Sequence, residues 1–328
     1  MPQPKPLRDD DARALLDMLA LSLGGAVALG FARFAYALLL PAMRSDLGWS
    51  FTLSGGMNAA NAFGYLLGAL SANALSARYG LRRTFEIGML LTAATLLLCA
   101  ATGASVPLLL LRLLAGVGGA WVFVSGGALA SLAARAHPAQ SAKLLGVFYG
   151  GAGIGIVLSA LLLPPLLANG WRGAWLALGA AALVCFGLTM RTLARLPDRA
   201  APAPAGHDHT PLTPLLWAFA AYACFGIGYI AYMTFSVAFL RSLGMGGLVT
   251  PFWALLGLCV IANPFVWGPL AARARGARAM SVQMLTLALG AALPLVSSHP
   301  LALLLSGALF GLSFLAVVTF TTITPFRA

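Results

Sequence analysis

The sequence predicts an all-α membrane protein, a bundle of ten transmembrane helices arranged as six plus four. Three observations predict it: a surface too poor in charge for water, ten apolar runs of spanning length, and an uneven distribution of basic residues. Of 328 residues, 60% are hydrophobic and only 9% charged, whereas a soluble domain carries about 25% charged residues. So few charges cannot cover a water-facing surface, and lipid must be the solvent for most of it. A span needs about 20 mainly apolar residues. Such runs fall at 18–43, 51–76, 84–103, 106–134, 141–168, 172–191, 213–241, 246–272, 278–297 and 299–323. The one long connection, 192–212, carries Pro197, Pro202, Pro204 and Pro211 with His207 and His209. It reads as a polar linker with solvated histidines, dividing a six-helix half (1–191) from a four-helix half (213–328). The first apolar run is longer than a signal-peptide core and has further spans behind it, so it is read as a retained helix.

The twenty Lys and Arg fix the orientation. A cytoplasmic N-terminus puts Lys5, Arg8, Arg13, Arg78, Arg82, Arg83, Arg135, Lys143, Arg191, Arg195, Arg199, Arg273, Arg275, Arg278 and Arg327 on the cytoplasmic side, fifteen in all. Arg44, Arg172 and Arg241 face the other side, and Arg33 and Arg112 lie within spans. Fifteen against three is the positive-inside pattern, with both ends and the linker cytoplasmic. The net charge of +12 is therefore a topology signal. It excludes a nucleic-acid surface, because the basic residues fall in short clusters between apolar runs. Cys99, Cys185, Cys224 and Cys259 sit in apolar runs without metal-binding spacing and read as packing thiols. No metal, nucleotide or other cofactor is expected.

An internal repeat runs through the chain. Gly30-Phe-Ala-Arg33-Phe-Ala-Tyr36 in span 1 aligns with Gly226-Ile-Gly-Tyr229-Ile-Ala-Tyr232 in span 7 at an offset of 196. Arg78 and Gly80 after span 2 match Arg273 and Gly276 after span 8, and Gly116 matches Gly311, at offsets of 195 or 196. An offset of six spans, an even number of crossings, makes the repeat parallel, a known transporter plan with its site between the halves near the midplane. Spans 5 and 6 lack a counterpart, which the repeat puts at about 337–387. The expectation is a twelve-span plan without its last two helices.

Three segments resemble the major facilitator superfamily, more narrowly its YbfB/YjiJ-type members. They are Gly30 to Tyr36 followed by Leu40-Pro41, Asn58-Ala-Ala-Asn61-Ala-Phe-Gly64-Tyr65-Leu-Leu-Gly68, and Arg112-Leu-Leu-Ala-Gly116-Val-Gly118-Gly119-Ala120. The resemblance implies a secondary transporter in the bacterial cytoplasmic (inner) membrane, monomeric, moving a small solute by alternating access. The loop after span 2 resembles the superfamily's gating motif through Arg78, Gly80, Arg82 and Arg83, but Ala77 stands where the motif has an acid. The same place in the second half is also alanine, at Ala272. Span 5 reads Gly150-Gly-Ala-Gly-Ile-Gly155 without the Gly-Pro of the antiporter motif. These departures weaken a charge-pair gate and an antiport reading.

Arg33 and Arg112 are the sharpest candidates for chemistry. A cation in the hydrocarbon region costs from about 2.5 kcal/mol upward unless it faces a cavity or a partner. At 1.5 Å per residue Arg33 lies roughly 12 Å below Pro41 and Arg112 roughly 9 Å below Val106, at similar depth. Either backbone carbonyls pin them or they face a solute cavity. The eight acids are Asp9, Asp10, Asp11, Asp17, Asp46, Glu86, Asp198 and Asp208, and none is central in a span. An anionic solute is a natural partner; a carboxylate on the two expected further helices is the competing one. Asn58 and Asn61, with Ser54 and Tyr65, form one face of span 2, fit either to line a solute path or to join helices. Tyr36, Tyr229 and Tyr232 complete the candidate binding set.

The expected function is transport of a small solute, an organic anion or an amphiphile. The alternatives are a non-transporting remnant of such a transporter or a ten-helix metabolite exporter. An intramembrane enzyme would need a nucleophile with a base, paired carboxylates or metal ligands in the spans, and none is there. Cysteines introduced at Ala203 and Ser298 are predicted to label from opposite sides of the membrane; labelling of both from one side contradicts the topology.

Overall fold

The computed structural model describes residues 9–196, 212–273 and 276–323. The central part of the linker, with Pro197, Pro202, Pro204, Pro211, His207 and His209, lies outside them. Among the described residues every regular element is helical. The first span is α1 (Asp9–Gly25), a π-helix (Ala26–Phe34) and α2 (Tyr36–Leu47) in one continuous rod. There follow α3 (Phe51–Tyr79), α4 (Leu81–Cys99), α5 (Ser105–Arg135), α6 (Ser141–Leu167) and α7 (Trp171–Leu193). After the linker come α8 (Leu212–Ser242), α9 (Val249–Arg273), α10 (Gly276–Val296) and α11 (Pro300–Ile323).

Six stretches of the described residues are long and apolar enough to cross a membrane: Asp10–Leu47, Ser105–Arg135, Pro138–Leu167, Trp171–Leu193, Ala223–Ser242 and Gly246–Gly268. Met280–Val296 and Pro300–Leu315 are shorter apolar helices. α3 and α4 fall outside that set. α3 dilutes its apolar run with Ser54, Asn58, Asn61 and glycines, and α4 opens with Arg82, Arg83 and Glu86.

Two features of span 1 differ from the expected 18–43. The helix starts at Asp9, because its polar first turns stay helical beyond the apolar run. Its middle is π-helical, so the Ala35 amide reaches back five residues to the Gly30 carbonyl at 2.8 Å. Apolar periodicity cannot reveal this, since every residue of the π section is buried.

Backbone contact explains the glycine usage. A Cβ on Gly30 would lie 2.4 Å from Gly155 Cα, so span 1 and α6 touch main chain to main chain. α3 and α4 pack on α5, α9 and α10 pack on α11, and α6 packs on α9. The α3–α5 and α9–α11 contacts share a register. A Cβ on Gly116 would meet the Asn61 carbonyl oxygen at 2.1 Å, and one on Gly311 would meet the Leu256 carbonyl oxygen at 2.4 Å. Both residues of the first contact are 195 positions before those of the second. At another matched pair, Gly68 abuts the Val117 carbonyl and Asn263 Nδ2 donates to the Leu312 carbonyl at 2.6 Å.

A Cβ at Gly116 must displace backbone, an overpacking cost of about 1–3 kcal/mol. Gly116→Ala is predicted to lower the thermal unfolding midpoint in detergent by several degrees, whereas Gly56→Ala, with no atom within 4 Å of the new Cβ, leaves it within a degree. Equal midpoints for the two variants contradict this packing.

Candidate functional site

The site forms where span 1 and α3 meet α8. Arg33, at the end of the π section, is 7% exposed. Its Nη2 donates to the Tyr229 hydroxyl on α8, and its guanidinium lies 5.2 Å from the Tyr65 ring centroid and 5.4 Å from that of Tyr229. Such stacking on ring faces stabilises a cation by about 0.5–2 kcal/mol. Elsewhere on α3, Asn58 Nδ2 donates to Thr234 Oγ1 on α8 at 2.5 Å. Phe34, Phe225, Tyr229 and Phe314 form an aromatic cluster beside Arg33, with Phe34 edge-on to Phe314 at 5.3 Å and Tyr229 5.0 Å from Phe314.

Arg112 sits deeper in the first group of helices, 1% exposed. Its Nη1 donates to the Ala32 carbonyl, while Nε and Nη2 have no hydrogen-bond partner among the described residues. The guanidinium lies 4.9 Å from the Tyr36 ring and 5.7 Å from that of Trp175. Tyr36 in turn donates its hydroxyl to the Ser54 carbonyl at 2.9 Å, and Asn61 Nδ2 donates to the Arg112 carbonyl at 3.0 Å. Arg112 thus bonds a backbone carbonyl through one of its three nitrogens.

The predicted residues thus divide. Arg33, Tyr229 and Asn58 meet at the span 1–α3–α8 junction. Arg112, Tyr36 and Asn61 are joined behind it. Tyr232 stacks on Phe310 at 4.0 Å and shares a 2.6 Å hydrogen bond with Ser306; it also lines a cavity of about 210 Å³ between α8 and α10. The face of α3 serves helix joining through both asparagines, and each keeps an Oδ1 without a partner among the described residues. Sequence reasoning does not assign Thr234, Trp175 or Phe314. A threonine or an aromatic in an apolar run reads as packing, and only the three-dimensional pairing singles these out.

The loop after α3 is remote from this junction. Gly80 ends α3 at φ +87°, a left-handed conformation that favours glycine. Arg78 stacks on Tyr79, Arg82 Nε pairs with Glu86 Oε1 at 3.1 Å, and Arg83 is exposed. The other acids with hydrogen-bond or ion-pair partners are also peripheral: Asp11 faces His137 at 3.7 Å, Asp17 accepts from Thr192 and Asp46 from Trp171. Among the described residues no carboxylate forms an ion pair with Arg33 or Arg112.

The buried Asn58–Thr234 bond ties α3 to α8, and bonds of this kind within membranes measure about 0.6 kcal/mol on average, at most about 1.7. Asn58→Ala, Thr234→Val and the double variant are predicted to show a coupling of about 0.5–1.5 kcal/mol in reversible unfolding. Strict additivity contradicts the contact.

Comparison with known proteins gives a consistent picture. The family described as "Uncharacterised MFS-type transporter YbfB" matches residues 25–325. A probable chloroplastic anion transporter of Arabidopsis thaliana is 32% identical over 127 residues, 38% of this chain and 24% of that protein. A putative metabolite transport protein of Haemophilus influenzae is 34% identical over 159 residues, 47% of this chain and 38% of that protein. The matches thus span well under half the length of these curated relatives. Among solved structures, a point mutant of the nucleoside transporter NupG superposes with a TM-score of 0.66 at 14% identity, over 94% of this chain and 82% of that one. A bacterial homolog of the human lysosomal transporter Spinster, inward-facing and occupied, gives 0.61 at 15% identity, over 98% and 76%.

Proposed function

We propose, from the premise that this chain belongs to the YbfB-type family of major facilitator superfamily transporters, that it carries a small organic anion across the bacterial cytoplasmic membrane by alternating access. The family makes it a multi-pass membrane transporter rather than an enzyme. The anion reading rests on Arg33. It is a buried guanidinium at a junction of helices, held by a neutral tyrosine and two ring faces, without a carboxylate partner among the described residues. An anion with a planar carboxylate satisfies both the charge and the fork of donors. The Arabidopsis relative's name, a probable anion transporter, supports the same class.

The ten-span, six-plus-four organisation belongs to this reading. Its support is the shared register of the α3–α5 and α9–α11 contacts at an offset of 195, and the bond between Arg33 and Tyr229, 196 residues apart. Equivalent residues of two halves related by a two-fold rotation touch only near its axis, and on this reading the pair lies between the halves. On this reading Tyr229 faces the solute beside Arg33, Tyr232 lines the cavity between α8 and α10, and Arg78, Gly80, Arg82 and Arg83 form the cytoplasmic loop. The fifteen-to-three basic count puts the N-terminus in the cytoplasm.

The test is uptake into proteoliposomes of radiolabelled succinate and benzoate, with tetraethylammonium as the cationic control. Wild type is expected to take up at least one of the two anions and not the cation. Arg33→Lys keeps the charge but loses the fork, and uptake should fall about tenfold, which is ~1.4 kcal/mol; Arg33→Gln should abolish it, with membrane insertion unchanged. Uptake of the cation alone, or full activity in Arg33→Gln, overturns the anion reading.

A further inference from the structure

We infer that Arg112 is a positioning residue, whose bond to the Ala32 carbonyl holds the π-helical section of span 1 and so aims Arg33 at the solute. The link is covalent and short. The Ala32 carbonyl belongs to the peptide unit that also carries the Arg33 amide, so a donor fixed on that oxygen fixes the plane from which the Arg33 side chain departs. The donor is itself immobile: Arg112 is fully buried between the rings of Tyr36 and Trp175, and its own carbonyl is held by Asn61.

The π geometry needs such a restraint. Nine residues, Ala26–Phe34, adopt it, whereas π-helix is ordinarily a single-turn bulge and is frequent at functional sites. Each π turn takes one residue more than an α turn, so a return to α-helix would rotate Arg33 relative to α8, away from Tyr229 and Tyr65. Ala26 and Gly30, both in main-chain contact with Gly155, fix the inner end and the middle of the section, and Arg112, on the Ala32 carbonyl, fixes it near the outer end. Arg112 therefore acts on the solute through Arg33, without touching it, and the charge it adds behind the site favours an anion in front. This role rests on the anion reading only for its second test.

The first test needs no solute. In hydrogen-exchange mass spectrometry of the whole chain in lipid nanodiscs, Arg112→Gln is expected to speed exchange of amides 30–40 at least about tenfold, while α4 and α7 keep wild-type rates. Arg112→Lys, which retains a charged donor, is expected to stay within about threefold of wild type. Unchanged exchange at 30–40, or an equal rise throughout the bundle, overturns the inference. If Arg112→Gln does not fold, Trp175→Leu is read instead; it removes one of the flanking rings and is expected to loosen the same amides, with unchanged rates counting against the inference.

The second test is a cycle in succinate or benzoate uptake, whichever wild type transports. Arg112→Gln should raise KM about tenfold in wild type but less than about threefold in the Arg33→Lys background, because it works through Arg33. Tenfold losses in both backgrounds mean direct contact with the solute and overturn the positioning role. If neither anion is taken up, the functional reading fails while the exchange experiment still decides the role of Arg112.

Discussion

A guanidinium in the hydrocarbon region of a bilayer costs from about 2.5 kcal/mol upward unless protein atoms take the place of water around it, and among the described residues two are buried, Arg33 and Arg112. The arrangement of the first helices follows from meeting that requirement. Arg112 is met by a backbone carbonyl and two aromatic faces. Arg33 is met by a hydroxyl and two tyrosine rings. Neither set contains a charge. Neutral partners lower the cost of burial without cancelling the field, so the region keeps a net positive potential that an anion entering from water would meet.

The same helices show why small residues recur beside the cations. A side chain on α5 reaches a carbonyl of span 1 only if the helix axes are close, and close axes leave no room for Cβ atoms at the crossing points. Gly119 against the Ala28 carbonyl is such a crossing, and Gly116 against Asn61 on α3 and Gly30 against Gly155 on α6 repeat it on the neighbouring helices. In a membrane, where apolar side chains gain little by leaving lipid, packing at this range and buried polar bonds are what hold helices together. Glycine contacts and arginine contacts are in this sense one device, since the first brings the backbone within reach of the second.

The helical membrane class, the candidate cations and the family resemblance are legible in the sequence, because each depends on composition or on local spacing. Hydropathy marks ten runs, and their boundaries shift by only a few residues where the polar flank is short. The start at Asp9 escapes it because an acidic, amphipathic turn carries no spanning signal. The π section escapes it for a deeper reason: it is defined by which carbonyl each amide chooses, and an all-buried segment offers no polar face from which to read that choice. Asn58 and Asn61 are visible as a stripe, but whether a stripe lines a path or joins helices depends on what stands opposite. Thr234 and the Arg112 carbonyl stand there.

The pairing of Arg33 with Tyr229 brings these strands together. On the six-plus-four reading the two residues occupy equivalent places in the halves, yet one is a cation and the other a neutral donor-acceptor. A symmetric pair of arginines would repel across the axis and need two countercharges; a symmetric pair of tyrosines would have no charge to offer an anion. On the proposed anion reading, one of each lets the tyrosine hydroxyl hold the guanidinium before a solute enters, and leaves that hydroxyl free to donate to a solute carboxylate once the guanidinium turns to it. On that reading the halves separate at this junction by exchanging the bond to a neutral hydroxyl and the Asn58–Thr234 bond, polar bonds that measure about 0.6 kcal/mol on average in a membrane, instead of breaking a buried ion pair, whose rupture costs about 3–5 kcal/mol. Bonds of that size close the junction without locking it, which is what the proposed alternating access requires.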